Sequence, residues 1–449
     1  MMIVGISMAI AAWSIAVLPV EDWDEARRGI NAFHMLCSGD YWNYSFLGET
    51  DTFNTKPPLF VWLLALSFKW FGVGVWQLRL PSLIALGAQL FYLLWWLTAN
   101  RGLRLSLLTV GAVIAVNGII GYHVALSGDT DMLFVLCLTV FCLESFLYLE
   151  TGHTTRGIVA VIALGAAFLT KGVAVALIIP GVLVYVFLDV RMQHRRGVGS
   201  WLILGLIGGS IGALILAVLT KFGTNLSEVN GYSNLLEAMV RKDGVQRFSD
   251  PTFEPDTASG YLLRALDIRF GILIYWLYIA LVWLLLRHGP REFFLRLTQD
   301  RFGCFSCLIV ISVLGLLQLS SNRHDWYVAP AVPFLAYLFA RSLDVLVISR
   351  RWKIAIMGAL LLIATGERVR RNLSVHRPAL PESFTADFVG LDTLFVDRHM
   401  EQSAIFQILV ESQLADRCGA LRMLTPGQDD LDCLEVRGFQ ACRRVGEIE

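Results

Sequence analysis

The chain has 449 residues, of which 56% are hydrophobic and only 16% charged, and its 37 basic and 37 acidic side chains cancel. A soluble domain carries about a quarter charged residues, so this balance, with a mean hydropathy of +0.60, makes lipid the main solvent. A net charge of zero leaves no global positive field, which excludes nucleic acid as an expected partner.

A bilayer core about 30 Å thick takes roughly 20 apolar residues per helix. Nearly uncharged runs fall at 2–20, 80–100, 105–126, 132–149, 157–170 and 172–188, and again at 197–220, 270–286, 302–322, 326–340 and 354–365. They predict an all-α polytopic membrane protein with about eleven transmembrane helices. The opening run lacks a basic flank and a small-residue cleavage site, so no cleavable signal peptide is expected. Three longer polar segments interrupt the pattern, at 21–79, 221–269 and 367–449. The first holds an amphipathic candidate over 58–71, rich in Trp and Phe, which suits a helix lying at the membrane interface. The last is long enough for a small soluble α/β domain. The expected division is therefore a transmembrane unit over 1–366 and a C-terminal extracytoplasmic unit over 367–449.

Alternating the spans collects Arg101, Arg104, Arg156, Arg191, Arg195, Arg196, Arg287, Arg291, Arg296, Arg301, Arg350, Arg351 and Lys353 on one side. These are short basic connections, as cytoplasmic loops are. The long segments on the other side mix acids, bases, aromatics and prolines. An inner-membrane protein follows, with its working face toward the periplasm or cell exterior. Cys304 and Cys307 are spaced CxxC, but inside an apolar run they read as helix packing. Cys418, Cys433 and Cys442 would face an oxidising compartment, where one disulfide among them is expected, with the pairing open.

Ionisable groups near membrane depth are costly and usually functional. The outer ends of the spans gather Asp22, Asp24, Glu25, Arg27, Lys56, Asp129, Asp131, Lys171, Arg247, Arg323 and His324. Such a rim suits an anionic head group on a lipid tail. Lys and Arg hold a phosphate by charge-assisted hydrogen bonds, and a carboxylate takes the proton of an incoming hydroxyl. Plainer roles compete at each position. Asp24 and Glu25 can simply start a helix, Lys56-Pro57-Pro58 can be a turn, and Lys171 can snorkel to the interface. Glu144 and His123 fall inside expected spans and read as satisfied by neighbouring helices.

The first long segment reads Trp23-Asp24-Glu25-Ala26-Arg27, Ser38-Gly39-Asp40-Tyr41-Trp42, Lys56-Pro57-Pro58, Phe71-Gly72 and Arg79-Leu80-Pro81-Ser82. Asp131-Met132, Leu169-Thr170-Lys171-Gly172, Val245-Gln246-Arg247-Phe248 and Arg323-His324-Asp325-Trp326-Tyr327 follow in order. This set resembles the GT-C glycosyltransferases of the aminoarabinose-transferase and protein-mannosyltransferase type, over about residues 1–366. The resemblance implies a many-helix membrane fold with interfacial helices over an outward cavity. It also implies a polyprenyl-phosphate-linked sugar as donor and a lipid, glycan or protein acceptor, with lipid A or a secreted protein among the choices.

Carried over, Asp24 is the base, with Glu25 or Asp131 orienting it or the acceptor. Lys56 and Arg247 hold the phosphate, aided by Tyr327, Arg323 and Lys171, and Arg27, Asp129 and His324 stand on the acceptor side. Direct displacement would invert the anomeric centre. In the aminoarabinose transferases an acid before the Lys-Pro motif and a His before the Gln-Arg-Phe motif imply a divalent metal. Thr55 and Gly244 occupy those places here, with Asp243 close by, so no cofactor is certain and a divalent metal stays an open alternative. A transporter or flippase of a lipid-linked sugar is the rival reading, but no internal repeat of the transporter kind is visible.

Overall fold

A computed structural model of the chain describes residues 2–51, 53–192, 198–223, 234–241, 260–320, 323–345, 349–374, 388, 391–397, 399–424, 431–436 and 439–444. Helix α1 (Met2–Val17) is followed by two helices, α2 (Asp24–Ser38) and α3 (Leu59–Phe71). Between them lies a short hairpin of β1 (Ser45–Phe46) and β2 (Glu49–Thr50). α2 opens with two acids in its first turn, where they oppose the positive end of the helix dipole, and stops at Gly39, whose φ of 72° turns the chain out. α3 starts directly after Pro57-Pro58 and ends at Gly72.

The bundle continues with α4 (Val75–Arg101), α5 (Leu103–Ala115), α6 (Asp131–Thr151), α7 (Thr154–Lys171), α8 (Ile179–Met192) and α9 (Val198–Lys221). It closes with α10 (Tyr261–Phe270), α11 (Ile272–Gln299), α12 (Arg301–Leu319), α13 (Val332–Val345) and α14 (Arg350–Ser374). Among the described residues, five helical segments are long and apolar enough to cross a membrane: Val75–Arg101, Asp131–Thr151, Thr154–Leu177, Ile272–Glu292 and Arg301–Leu319. The 197–220 and 354–365 runs fall on α9 and α14, while two other runs are interrupted by tighter backbone. The 172–188 run opens with a 3-10 stretch, Gly172–Leu177, and the 326–340 run with another, Asp325–Ala331.

The expected span over 105–126 is corrected more deeply. Its helix ends at Ala115, and residues 116–130 fold back irregularly. Irregular backbone packed inside a bundle needs partners for its polar groups. Arg269 donates to the Tyr122 carbonyl at 2.9 Å and Arg368 to that of Val116 at 3.0 Å. His123 thus lies on irregular chain, at φ 60°, and not within a helix.

A large apolar core runs through α1, α4, α5, α6, α12 and α13. A second joins α2 and α3 to the C-terminal segment. That segment has four strands, β3 (Thr393–Val396), β4 (Ala420–Met423), β5 (Leu431–Val436) and β6 (Phe439–Arg444), in the order β4-β3-β6-β5. β3 pairs parallel to β4 and antiparallel to β6. Helix α15 (Gln402–Glu411) packs on α2 so closely that a Cβ at Gly29 would lie 2.6 Å from the Phe406 ring.

Two disulfides tie the segment. Cys433–Cys442 bridges the β5–β6 pair, as one expected pairing among the last three cysteines. Cys418 instead joins Cys37 of α2, which was not anticipated, across 381 residues of sequence. Peptide mapping without reductant should therefore recover a Cys37–Cys418 cross-link, and Cys37→Ser with Cys418→Ser should cost about 2–5 kcal/mol of stability. A Cys418–Cys433 or Cys418–Cys442 peptide, or an unchanged melting temperature in the double variant, contradicts this arrangement.

Candidate active site

The site is built where α1 ends and α2 begins. Trp23, between them, holds φ 63° and ψ −88°, a conformation that costs a non-glycine residue about 1–3 kcal/mol. The neighbouring Glu25 is 0% exposed, and Arg79 of α4 is 0% exposed beside it. The guanidinium donates to both Glu25 oxygens at 2.5 and 2.7 Å, and to the carbonyls of Leu18 and Pro19 at 2.8 and 2.6 Å. Glu25 also accepts from the backbone N–H of Glu21 at 2.7 Å and of Gly128 at 2.6 Å. One buried pair thus fastens the end of α1, α2, α4 and the 116–130 segment together. Glu25 is wholly enclosed by these partners.

Residues flanking this pair face the opening. Asp24 keeps 43% of its side chain exposed and lies 3.3 Å from Arg28, one turn along α2. Arg28 also meets Asp129, next to Gly128, at 2.8 Å. Lys171, the last residue of α7, donates to Asp131, the first of α6, at 2.6 Å. Gly172 then takes φ 59°, and a Cβ there would collide with Met239, so only glycine ends the helix in this way. Burial alone would raise Asp24, but the positive charges of Arg28, Lys56 and Lys171 outweigh it and hold the carboxyl below its usual range. Asp129 is pushed the opposite way by burial, opposed by Arg28 and reinforced by Asp131 and Asp24. Two carboxylates sharing one arginine are thereby shifted in opposite directions, the open one down and the closed one up.

Lys56 is set by a polar network behind it. Asp51, 1% exposed, accepts from Arg27 at 2.8 Å and from Asn31 at 2.9 Å. Asn54 donates to Asn31 at 2.9 Å and accepts from the Lys56 N–H at 3.3 Å, and the Tyr44 hydroxyl donates to the Lys56 carbonyl at 3.0 Å. Lys56, Lys171, Asp131 and Tyr327 then line one cavity of about 320 Å³. Apart from Ser320, its other walls are apolar: Phe134, Val173, Ala174, Ala176 and Leu177, with Leu316, Leu317 and Pro330. The Lys171 ammonium lies 5.0 Å from the centre of the Tyr327 ring. Cations at the head of an apolar trough fit an anion that carries a hydrocarbon chain.

The remaining expected residues take other places. Arg27 is spent on Asp51 and on the rings of Phe46 and Phe53, so it is corrected from an acceptor-orienting group to a scaffold one. Arg323 donates to the carbonyls of Ser320 and Gln318 at the end of α12. His324 stacks on Trp326 at 4.3 Å, and His123 covers the other face of that ring at 3.8 Å. Arg247, Gly244 and Asp243 lie outside the described residues. Glu144 is satisfied inside the bundle, as anticipated, by Arg156 and the Tyr92 hydroxyl. Arg28, not singled out in the sequence, is the missed residue. Its spacing of four from Asp24 puts the two on one helix face.

No cluster of three or more His, Cys, Asp or Glu that could hold a metal occurs among the described residues. Thr55, 4% exposed, offers no carboxylate where the metal-dependent pattern needs one. Asp243 and Gly244, the other residues of that pattern, lie outside the described residues.

Two tests follow from this geometry. Arg79→Met strands the buried Glu25 charge and should cost about 3–5 kcal/mol of stability; an unchanged melting temperature contradicts the role of the pair. Burial first, then Glu25 and Asp129, raises Glu21 from 4.5 to about 7, against a favourable contact with His123 at 3.0 Å. A raised carboxyl holds its proton more tightly in the folded chain, so stability falls as pH climbs from 4.5 to about 7. His123, opposed by burial but raised by Glu21, adds to the same slope, because its contribution is lost as pH rises past its own midpoint. Glu21→Gln should flatten the fall in melting temperature between about pH 5 and about pH 7.5; an equally steep fall in the variant contradicts it.

Comparison with known proteins agrees with this picture. Residues 55–220 match the family model described as dolichyl-phosphate-mannose-protein mannosyltransferase, a stretch that includes Lys56, Asp129, Asp131 and Lys171. ArnT from Cupriavidus metallidurans, solved bound to undecaprenyl phosphate, superposes with a TM-score of 0.58 at 18% identity, covering 93% of this chain and 72% of that one. The oligosaccharyltransferase AglB from Archaeoglobus fulgidus, solved with an inhibitory peptide and a dolichol-phosphate, gives 0.54 at 11% identity, over 95% of this chain and 61% of its own. No curated protein matches in sequence. The resemblance to the GT-C polyprenyl-phosphate-sugar glycosyltransferases therefore holds, in sequence across residues 55–220 and in fold across most of the chain.

Proposed function

We propose that this protein is a membrane glycosyltransferase that moves a sugar from a polyprenyl-phosphate carrier to an acceptor hydroxyl of a lipid, glycan or protein. The observation that carries the reading is the apolar cavity with Lys56, Lys171 and Tyr327 at its head and the ionised Asp24 beside it. The solved relatives with undecaprenyl phosphate and dolichol-phosphate support a lipid phosphate as the ligand of this cavity.

A sugar on a phosphate already has a good leaving group, so the protein's work is alignment, proton acceptance and charge stabilisation. The prenyl chain lies along Val173–Leu177 and Leu316-Leu317, and its phosphate meets Lys56 and Lys171. Asp131 holds Lys171 in place through the 2.6 Å contact. The acceptor hydroxyl approaches Asp24. A carboxylate with depressed pKa is a weak base, so it takes the proton only as the new C–O bond forms and the hydroxyl turns acidic. The anomeric carbon exchanges phosphate oxygen for acceptor oxygen in one displacement, with inversion, and the phosphate leaves as a dianion on the two lysines. Arg28 keeps Asp24 ionised, and Asp129 takes up the other side of that arginine. We further infer that this face opens to the periplasm or cell exterior and that the C-terminal strands, which share a core and a disulfide with α2, lie on the same side.

Purified protein with a polyprenyl-phosphate sugar should release free polyprenyl phosphate. Asp24→Asn should lower turnover about a hundred- to ten-thousandfold with the fold intact, and Lys56→Ala should raise KM for the donor roughly tenfold. Normal turnover in Asp24→Asn removes Asp24 from the base role. Movement of intact donor across vesicles without release favours transport instead.

A further inference from the structure

A second cavity lies at the end of the bundle away from the candidate active site. α4 and α13 run away from the candidate active site, and α5 and α12 run back toward it, so Arg101, Leu103, Asp300 and Asp344 share the opposite end. Between them lies a cavity of about 450 Å³ lined by Arg101, Arg104, Asp300, Tyr337, Arg341 and Asp344.

The charges there do not balance. Asp300 accepts from Arg341 at 2.7 Å and from the Gly303 N–H at 3.1 Å. Asp344 meets Lys353 at 2.6 Å and Arg104 at 3.1 Å. Both carboxylates are therefore neutralised, and four cations face two anions. Arg101 is the surplus: its guanidinium lies 5.2 and 5.1 Å from the ring centres of Phe146 and Phe302. Its buried Nε has no hydrogen-bond acceptor, and no carboxylate pairs with it among the described residues. A guanidinium braced by two rings, with its acids already occupied, is preorganised for an incoming anion. From the rim, Leu103 and Leu107, 58% and 45% exposed, sit four residues apart on the outward face of α5. They form an apolar path leading from the cavity along the bundle side.

We propose that this cavity binds a phosphate group through Arg101 and Arg104, at a site separate from the donor site. The exposed leucine path favours a phosphate carried on an anionic phospholipid, whose acyl chains run down α5; basic pockets between membrane helices commonly take such head groups. The site stands independently of the glycosyltransferase reading.

Delipidated full-length protein is incubated with phosphatidylglycerol or phosphatidylcholine and read by native mass spectrometry. Inorganic phosphate is titrated in parallel against melting temperature. Retention of phosphatidylglycerol over phosphatidylcholine, reduced roughly fivefold by Arg101→Gln and by Arg104→Gln, supports a lipid source. A rise in melting temperature with inorganic phosphate, lost in both variants, supports a soluble one. Arg104 is 53% exposed, so its variant tests the site even if Arg101→Gln fails to fold. Equal retention of both lipids with no phosphate effect, or variants that bind as the parent does, overturns the proposal.

Discussion

The Glu25–Arg79 pair is the constraint from which the rest of the candidate site follows. Both charges are 0% exposed, and an unpaired charge there would cost several kcal/mol, so each needs the other and the surrounding backbone groups. In meeting that need, the pair fixes four chain segments at once. Asp24 is the residue before Glu25, and Asp129 the residue after Gly128, which donates to Glu25. A buried ion pair thus places two carboxylates on either side of Arg28, and their environments drive their proton affinities apart.

A second constraint is the polarity boundary. Lys171 and Asp131 end one long apolar helix and begin another, so helix length itself delivers a cation and an anion to the same level of the bundle. The 3-10 stretches after Gly172 and before Val332 bring apolar walls to that level. The cavity is therefore charged at its head and greasy along its length because the helices that form it stop there.

Much of this was legible in the sequence, for a physical reason. Charged residues at the ends of apolar runs have few places to go, and Lys56, Asp131, Lys171 and Tyr327 do meet around one cavity. The break at Ala115 was not legible, because an apolar stretch looks the same whether its carbonyls bond within a helix or to a distant Arg269. Glu25 and Arg27 look as reactive as Asp24 in one dimension; only partners far along the chain, Arg79 and Asp51, remove them from the opening. Arg28 was legible in principle through its spacing to Asp24. The Cys37–Cys418 bond was not, since no local pattern couples residues 381 apart. The same long-range contact explains how the C-terminal strands sit on α2, through Phe406 against Gly29 and Phe68.

The most direct measurement is a structure of the protein with a polyprenyl phosphate bound. The account predicts phosphate density within about 3 Å of the Lys56 and Lys171 ammonium groups, with the prenyl chain between Val173–Leu177 and Leu316-Leu317. A phosphate bound away from both lysines, or a chain lying outside that trough, would contradict it.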